Sequence, residues 1–299
     1  MSARPDLFPF EANLHYFDSV VRSAQETLVT QIESAIRSGD LGSAVRRQAQ
    51  LQAVEHTLAQ LAATANPLAS QMVLEAWHQG ADRAAKQIAE LPIDAPEKLG
   101  VFNGVSLEAV QAMQTSLVQS LDAATQNLGR RVRDVYAREQ RRAVLRAVLG
   151  ASGSPDAASK DLQAALMRDK AVQKAVRDGG TAFEDAAKRR WKLDVYSNMA
   201  TRTVTREAVV QGAVARMVSH GIAIARVSTH AGSCEICLPF QGTLVALGPD
   251  TPAEYRGEAV SDTGEIPPFH PNCAHSLEPV AATIDSLREQ LELEPEAVT

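Results

Sequence analysis

The residues best suited to chemistry lie between positions 230 and 275, where all three cysteines of the chain are found. Cys234 and Cys237 are three residues apart, and His270 and Cys273 repeat that spacing. Each pair can therefore place two ligand atoms on one metal ion from a single tight turn. Three thiolates and one imidazole fill the tetrahedral shell of Zn²⁺ and leave no position for water. The spacing predicts a structural zinc site and not a catalytic one.

Two other interpretations of the cysteines stay open at this point. The thiols can form a buried reduced cluster without a metal, or Cys234 and Cys237 can form a disulfide that leaves Cys273 as a thiol. The odd number of cysteines and the lack of a secretory segment argue against the disulfide. Gly232 and Gly242 flank the first pair and allow the positive φ angles that a metal-binding turn often needs.

Two further histidines lie close to the predicted ligands. His230 precedes the first cysteine pair, and His275 follows Cys273. Either imidazole can replace His270 as the fourth ligand, although a place behind the ligands or on the surface is the more common role for such a residue. The fourth ligand therefore stays open among three histidines.

Composition favours packed helices over a β-sandwich. The 299 residues carry a formal net charge of −6, and aromatic residues make up 4%. The acidic balance excludes a simple polycationic nucleic-acid binder but leaves local basic patches open. The sequence has no apolar run of membrane-spanning length and no secretory signal at its start, so we expect no membrane partner and synthesis in a cytoplasm.

The elements that must position these residues are predicted to be mainly helical. Apolar residues recur with a helical period before position 220, and β-type alternation follows it. The predicted fold class is mainly α, with long helices and a small C-terminal α+β module stabilised by zinc. The predicted segments are an extended N-terminal arm (1–12), a helical domain with a long strut helix (13–150), a helical segment after a hinge (151–222), a small β zinc module (223–283) and an acidic tail (284–299).

Helix boundaries are predicted from caps and breakers. The Asn-Pro pair at 66–67 is predicted to separate two helices, because proline favours the first turn of a helix. A long helix is predicted over residues 106–149, about forty residues and ~60 Å in length. Helical stretches are predicted at 157–177 and 181–220. Such a long helix is typical of a strut or an assembly element.

Strands are predicted around the cysteine pairs. Residues 222–228 alternate as a strand that enters the first pair, and residues 242–248 form one that leaves it. A short strand at 277–280 follows the second pair. The pattern therefore predicts a small β unit built around the zinc ligands.

Arginines accumulate in the second half of the predicted long helix. They are Arg130, Arg131, Arg133, Arg138, Arg141, Arg142 and Arg146. They can form a solvated face with its own ion pairs, or contact an acidic partner surface or the phosphates of nucleic acid. Arg202 and Arg206 lie one helical turn apart, so they can bind one carboxylate or phosphate together, or serve as ordinary surface charges.

The residues argue against several enzyme classes. A nucleobase deaminase needs His-x-Glu upstream of Pro-Cys-x-x-Cys, whereas Ser233 precedes Cys234 here. No Walker loop, dinucleotide fingerprint or Gly-x-Ser-x-Gly elbow is present. A zinc-stapled nuclease of the His-Asn-His kind stays as the enzymatic alternative, although only His230 and His275 can supply its base and no carboxylate cluster lies beside them in sequence.

The cysteine and histidine motifs, taken together, resemble those of tailed-phage minor capsid proteins of the "minor capsid protein 2" and MuF-like group. The matching residues are His230-x-x-x-Cys234-x-x-Cys237-x-Pro239-x-Gln241-Gly242 and Phe269-His270-Pro271-Asn272-Cys273-x-His275-Ser276. Further upstream, Phe102-x-Gly104-Val105, the run 124–136 and Trp191-x-Leu193-x-x-Tyr196-x-x-Met199-x-x-Arg202-Thr203 also fit. The resemblance covers about residues 100–280, and Ala274 departs from it because the family often has arginine there.

The resemblance implies a non-enzymatic virion component bound inside the capsid at the portal vertex. Its expected partners are the portal protein, packaged DNA and the major capsid protein, with several copies around the portal ring. The implied role is head assembly, genome ejection or both. The alternative is a zinc-stapled nuclease, or an effector enzyme injected into the host, that acts on DNA or host targets.

Overall fold

The computed structural model of the protein describes residues 11–37, 44–92, 107–149, 182–184, 189–248, 251, 253–261, 266–271 and 273–282. The described helices are α1 (Glu11–Arg37), α2 (Ala44–Ala89), α3 (Leu107–Leu149) and α4 (Leu193–Ser219). The described strands are β1 (Ala182–Glu184), β2 (Arg190–Lys192), β3 (Ile224–Val227), β4 (Leu244–Ala246), β5 (Glu254–Tyr255), β6 (Glu258–Ser261) and β7 (Leu277–Pro279). The predicted mainly helical class is confirmed, and the C-terminal module contains a small mixed sheet. None of the helices among these residues has an apolar stretch long enough to cross a membrane.

Several predictions fall wholly or partly outside the described residues. They concern the arm up to residue 10, the hinge (which the glycines and serines of residues 150–155 predict), the helix at 157–177 and the tail at 284–299. Helix α1 begins at Glu11, which makes the last two residues of the predicted arm helical. The linear division into five segments stays a prediction.

The helix break predicted at Asn66 and Pro67 is wrong, because α2 continues through Pro67. A proline inside a helix costs about 3 kcal/mol, since it removes a hydrogen bond and clashes with the preceding turn. Buried Ala65 and Ala69 keep the apolar face continuous across this turn. Asn66 Nδ2 also donates to Asp122 Oδ1 of α3 at 2.8 Å. Tertiary contacts therefore hold α2 together where its local sequence would end it.

The helix predicted at 181–220 is wrong at its start. The strands β1 and β2 pair antiparallel there, with Phe183 opposite Trp191, and α4 begins only after β2. The first N–H groups of a helix have no acceptor within the helix. Gln25 Oε1 of α1 accepts the Asp194 N–H at 3.3 Å, so an acceptor distant in sequence helps to define where α4 starts.

The chain divides into two compact units, each built from separate stretches of sequence. We call the described residues within 12–69 and 118–200 the helical unit, and those within 1–11, 70–117 and 201–299 the sheet unit. In the helical unit, α1 buries one apolar stripe: Leu14, Phe17, Val21, Leu28 and Ile32. Gln31 Nε2 of α1 also donates to Thr57 Oγ1 of α2 at 3.0 Å.

The sheet unit contains a five-stranded mixed sheet in the order β5-β6-β4-β3-β7. The β4–β6 pair is parallel, and the other pairs are antiparallel. One buried cluster joins the helices to the sheet: Ala84, Ile88, Val210, Ala213, Met217, Ile222, Ala225, Val227, Val245 and Leu277. A second cluster contains Ala223, Ile224, Leu244, Tyr255 and Ala282. The inner strand β3 therefore contributes to apolar clusters with alternate residues, which fixes its register.

Helices α2 and α4 pack backbone against backbone within the sheet unit. A methyl group placed on Gly80 would lie 1.9 Å from the Val209 carbonyl oxygen, and one on Gly212 would lie 2.1 Å from the Trp77 carbonyl oxygen. The two glycines thus occupy reciprocal positions at one helix crossing. No larger side chain fits at either position unless the helices separate.

We expect Gly212→Ala to destabilise the protein despite the higher helix propensity of alanine, which is worth about 1 kcal/mol. The methyl group meets backbone that cannot rotate away, and such overpacking costs about 1–3 kcal/mol or more. Gly129→Ala on α3 is the matched control, because its methyl group meets only side-chain atoms, of Leu58 at 3.0 Å and of Arg133 at 3.9 Å. Urea unfolding of both variants measures the difference, and equal stabilities would contradict the close crossing.

Candidate metal centre

The strand β3, which lies between β4 and β7, brings both halves of the predicted site to one end of the sheet. It pairs antiparallel with β4 through Arg226 and Leu244, and with β7 through Val227 and Leu277. The C-terminal end of β3 therefore lies beside the first residues of both β4 and β7. The connection 228–243 between β3 and β4 holds the first cysteine pair, and the residues just before β7 hold the second half-site.

Each half-site is a tight turn closed by the same backbone hydrogen bond. The Cys237 N–H donates to the Cys234 carbonyl at 3.0 Å, and the Cys273 N–H donates to the His270 carbonyl at 3.0 Å. A 3₁₀ turn (Leu238–Phe240) continues from the first of them. The two segments with equal spacing in the sequence therefore form turns closed by equivalent backbone hydrogen bonds.

The glycines beside the first turn adopt the backbone conformation that the sequence predicts. Gly232 has φ of 81°, and Gly242 has φ of 73°. A methyl group on Gly242 would make only an ordinary contact with Thr229 at 3.6 Å, and none would form at Gly232. The positive φ angle, and not a lack of space, is thus the reason for glycine at both positions.

Two serines join the half-sites directly. The Ser228 N–H donates to the Ser276 carbonyl at 2.9 Å, and the Ser276 N–H donates to Ser228 Oγ at 2.9 Å. Both residues are buried. Sequence reasoning missed this contact, because a serine at the end of a strand carries no signal of its partner.

The sulfur and imidazole atoms of the two turns lie close together. His270 Nε2 is 3.2 Å from Cys234 Sγ and 3.1 Å from Cys237 Sγ. Cys237 Sγ is 3.8 Å from Cys273 Sγ, which in turn is 3.5 Å from His275 Nδ1. A disulfide would need about 2.05 Å between sulfurs, and all three cysteines are thiols outside any disulfide. The structure therefore brings together all four predicted ligands and adds His275.

These donors form two overlapping groups that can hold a metal ion. Within each group all ligand atoms lie within 4.8 Å of one another: Cys234, Cys237 and His270 in one, and Cys237, Cys273 and His275 in the other. With Zn–S bonds of about 2.3 Å, two sulfurs of a tetrahedral site lie about 3.8 Å apart. The distance between Cys237 and Cys273 matches that value. The donor set thus fits a thiophilic divalent ion.

The three thiols differ in their electrostatic surroundings. Backbone N–H groups of the turn, led by that of Cys237, hold the pKa of exposed Cys234 below its usual value. Burial, with the adjacent sulfurs as further causes, raises the pKa of Cys237 to about 12. Burial also lowers the pKa of His275, which favours its neutral form. A bound divalent cation deprotonates the thiols that coordinate it, and histidine binds a metal in its neutral form. A cation would therefore hold these cysteines as thiolates, and the neutral form of His275 suits it as a ligand.

His230 lies beside this cluster but belongs to neither group. Its ring packs on His275 with 4.2 Å between centroids, and its backbone N–H donates to Gln241 Oε1 at 2.9 Å. Phe240 and Phe269, one from each half, stack with 4.2 Å between centroids. The two ring contacts join the half-sites beside the sulfurs, and the amide contact holds His230 within the first half. Gln241 and Phe269 lie within the resemblance motifs, but their spacing alone does not predict these contacts.

The arginines of α3 are only partly described. Arg133 is exposed and forms an ion pair with Glu55 of α2 at 3.0 Å, and Arg130 contacts the Asn127 amide oxygen. The other predicted binding residues lie on α3 but their side chains are outside the described part of the structure: Arg131, Arg138, Arg141 and Arg142. For Arg133, the ion-pair interpretation therefore has direct support.

The two arginines of α4 differ in exposure. Arg206 is buried, with 7% of its surface exposed, whereas Arg202 is half-buried. Arg206 is therefore not an ordinary surface charge. Their joint binding of a carboxylate or phosphate stays a prediction.

The fold and site together describe a helical protein with a small C-terminal sheet that carries a cysteine–histidine cluster. The family model for phage minor capsid protein 2 matches the sequence over residues 19–297. The chain therefore belongs to the phage minor capsid protein 2 family, as its motifs indicated. Searches among curated proteins and among solved structures found no match. Family membership supports a structural role in a phage and a place in the virion.

We expect Ser228→Ala to weaken the contact between the half-sites. It leaves the buried Ser276 N–H without its acceptor, and an unsatisfied buried donor costs about 1–3 kcal/mol. Ser219→Ala is the control, because Ser219 is exposed and its hydroxyl contacts only the Arg216 carbonyl and the adjacent His220 ring at the end of α4. Thermal unfolding of the two variants compares them. A loss no larger for Ser228→Ala than for Ser219→Ala would show that this serine does not hold the site together.

Proposed function

We propose that this protein is a structural minor capsid protein of a tailed phage, bound inside the capsid at the portal vertex, where it acts in head assembly or genome ejection. The observation that carries the proposal is the family match over nearly the whole chain, residues 19–297. The helix α3 is compatible with such a role, since its 43 residues span about 65 Å. A helix of this length can reach from one partner surface to another.

We propose further that Cys234, Cys237, His270 and Cys273 hold one structural Zn²⁺ ion. Three sulfurs and one imidazole are donors that zinc prefers, and they leave no coordination position for a substrate. The two turns are 36 residues apart from Cys237 to Cys273, so an ion between them would close a long loop of chain. Binding of zinc in a small module of this kind contributes on the order of 10 kcal/mol to folding.

A non-enzymatic role agrees with the chemistry of the cluster. In the described residues, the two possible metal groups contain cysteine and histidine and no carboxylate. A general base must reach its substrate, yet His275 is 3% exposed. These observations favour a structural site over the hydrolytic site of a nuclease.

The arginine-rich half of α3 is the proposed contact with an acidic portal surface or with packaged DNA. The whole chain has a net charge of −6, so a contact with phosphates would depend on this local concentration of positive charge and would weaken with salt. Arg133 already pairs with Glu55, which leaves the arginines further along the helix as the better candidates. With several copies around the portal ring, many weak contacts would act at once and give a higher overall affinity.

Zinc content tests the metal proposal. We expect about one zinc per purified chain by elemental mass spectrometry, and we expect Cys237→Ser to lose the ion and to aggregate or unfold at lower temperature. Ile236→Ala is the control, since Ile236 lies in the same turn with 57% of its surface exposed and offers no ligand atom. A metal-free wild type, with a Cys237→Ser variant of equal stability, would rule out structural zinc.

Sedimentation with the purified portal ring of the same phage tests the proposed location. We expect the full chain to co-sediment with the ring at micromolar concentration. We expect a variant with Arg138, Arg141 and Arg142 changed to alanine to bind it more weakly, whereas the corresponding lysine variant keeps most of the affinity because it keeps the charge. Failure of the wild type to co-sediment would count against portal binding.

The same variants decide whether these arginines contact DNA. In fluorescence anisotropy with duplex DNA, three lost phosphate contacts would reduce the slope of log K against log salt by about 3. Binding that does not change with salt, or with these substitutions, would exclude the arginines as the DNA contact.

A further inference from the structure

The position of one proton on His270 is determined by its neighbour. His270 Nδ1 lies 2.6 Å from the Pro271 carbonyl oxygen, which can only accept a hydrogen bond. Nδ1 must therefore carry the proton, and in the neutral imidazole Nε2 carries the lone pair. That lone pair lies 3.2 and 3.1 Å from the sulfurs of Cys234 and Cys237. This tautomer is the one that binds a metal through Nε2.

His275 has the opposite tautomer, by a similar argument. Ser233 Oγ lies 3.1 Å from the His230 carbonyl oxygen and 3.3 Å from His230 Nδ1. The carbonyl oxygen is the nearer of the two and can only accept. We therefore assign the single hydroxyl proton to it, which leaves Oγ to accept from the ring of His275. The distance from His275 Nε2 to Ser233 Oγ is 3.3 Å, which places the His275 proton on Nε2. The lone pair then lies on Nδ1, 3.5 Å from Cys273 Sγ. Metal-binding histidines typically donate their second N–H to such an outer acceptor.

The five donors differ in their access to solvent. Cys234 is exposed, whereas Cys237, Cys273 and His275 are each at most 3% exposed. Cys237 alone belongs to both overlapping groups. A tetrahedral ion can take only four of the five donors, so His270 and His275 compete for one position.

We infer that His275 is a metal ligand through Nδ1 and can replace His270 as the fourth donor to a thiophilic divalent ion. This inference rests on the proposed zinc site and extends it. The buried donors Cys237, Cys273 and His275 form the inner part of the site, and Cys234 with His270 forms its outer edge. The ion therefore stays bound when the bond to His270 is lost, and it is released when both histidines are removed.

Metal stoichiometry of the full chain tests the inference. We expect His270→Ala and His275→Ala each to keep about one zinc with weaker affinity in competition with a chelator, by roughly tenfold or more. The double variant should lose the ion. His78→Ala is the control, because His78 is exposed on α2. If the double variant binds zinc as His270→Ala does, His275 is not a ligand.

A measurement on folded protein removes any ambiguity from misfolded variants. In the His270→Ala chain loaded with ¹¹³Cd²⁺, we expect scalar coupling between the cadmium nucleus and the ring protons of His275, with nitrogen shifts that place the metal on Nδ1. Absence of that coupling, with the metal bound, would show that His275 is not a ligand and would overturn the inference. A wild-type chain without any metal would instead contradict the zinc proposal itself.

Discussion

The local structure of the C-terminal module depends on the pairing of β3 with both β4 and β7. Because β3 is antiparallel to each neighbour, the turn that follows it and the turn that precedes β7 emerge at the same end of the sheet. The hydrogen bonds between Ser228 and Ser276 continue this pairing toward the cysteines. The sulfurs of Cys237 and Cys273 then come to 3.8 Å of one another without a covalent bond. Backbone pairing therefore determines the distance on which any metal chemistry would depend.

The sheet that carries the cluster is itself supported by helices of the same unit. Met217 and Ile222, at the end of α4 and just after it, belong to the buried cluster that includes Val245 and Leu277 of the sheet. The crossing of α2 and α4 at Gly80 and Gly212 leaves no space for a larger side chain. The site is thus supported by tightly packed helices, and a small sheet of short strands gains stability from that packing.

Family membership and site chemistry agree on a structural part in the phage particle. The match extends over residues 19–297, and so it includes both the helices and the cysteine–histidine cluster. Thiolates combined with imidazoles are well suited to holding chain segments together through a metal. The buried position of His275, at 3% exposure, agrees with a supporting role and not with contact to a substrate.

The sequence by itself determined the helical class, the two turns with equal spacing and the set of residues able to bind a metal, because periodicity and local spacing act over a few neighbouring residues. It did not determine that α2 continues through Pro67 or that α4 begins after β2, since contacts between distant residues outweigh local preference at both places. It also left three histidines open as the fourth donor. Only the tertiary structure placed His270 and His275 beside different sulfurs and left His230 outside both groups, because strand pairing brings together turns that are far apart along the chain.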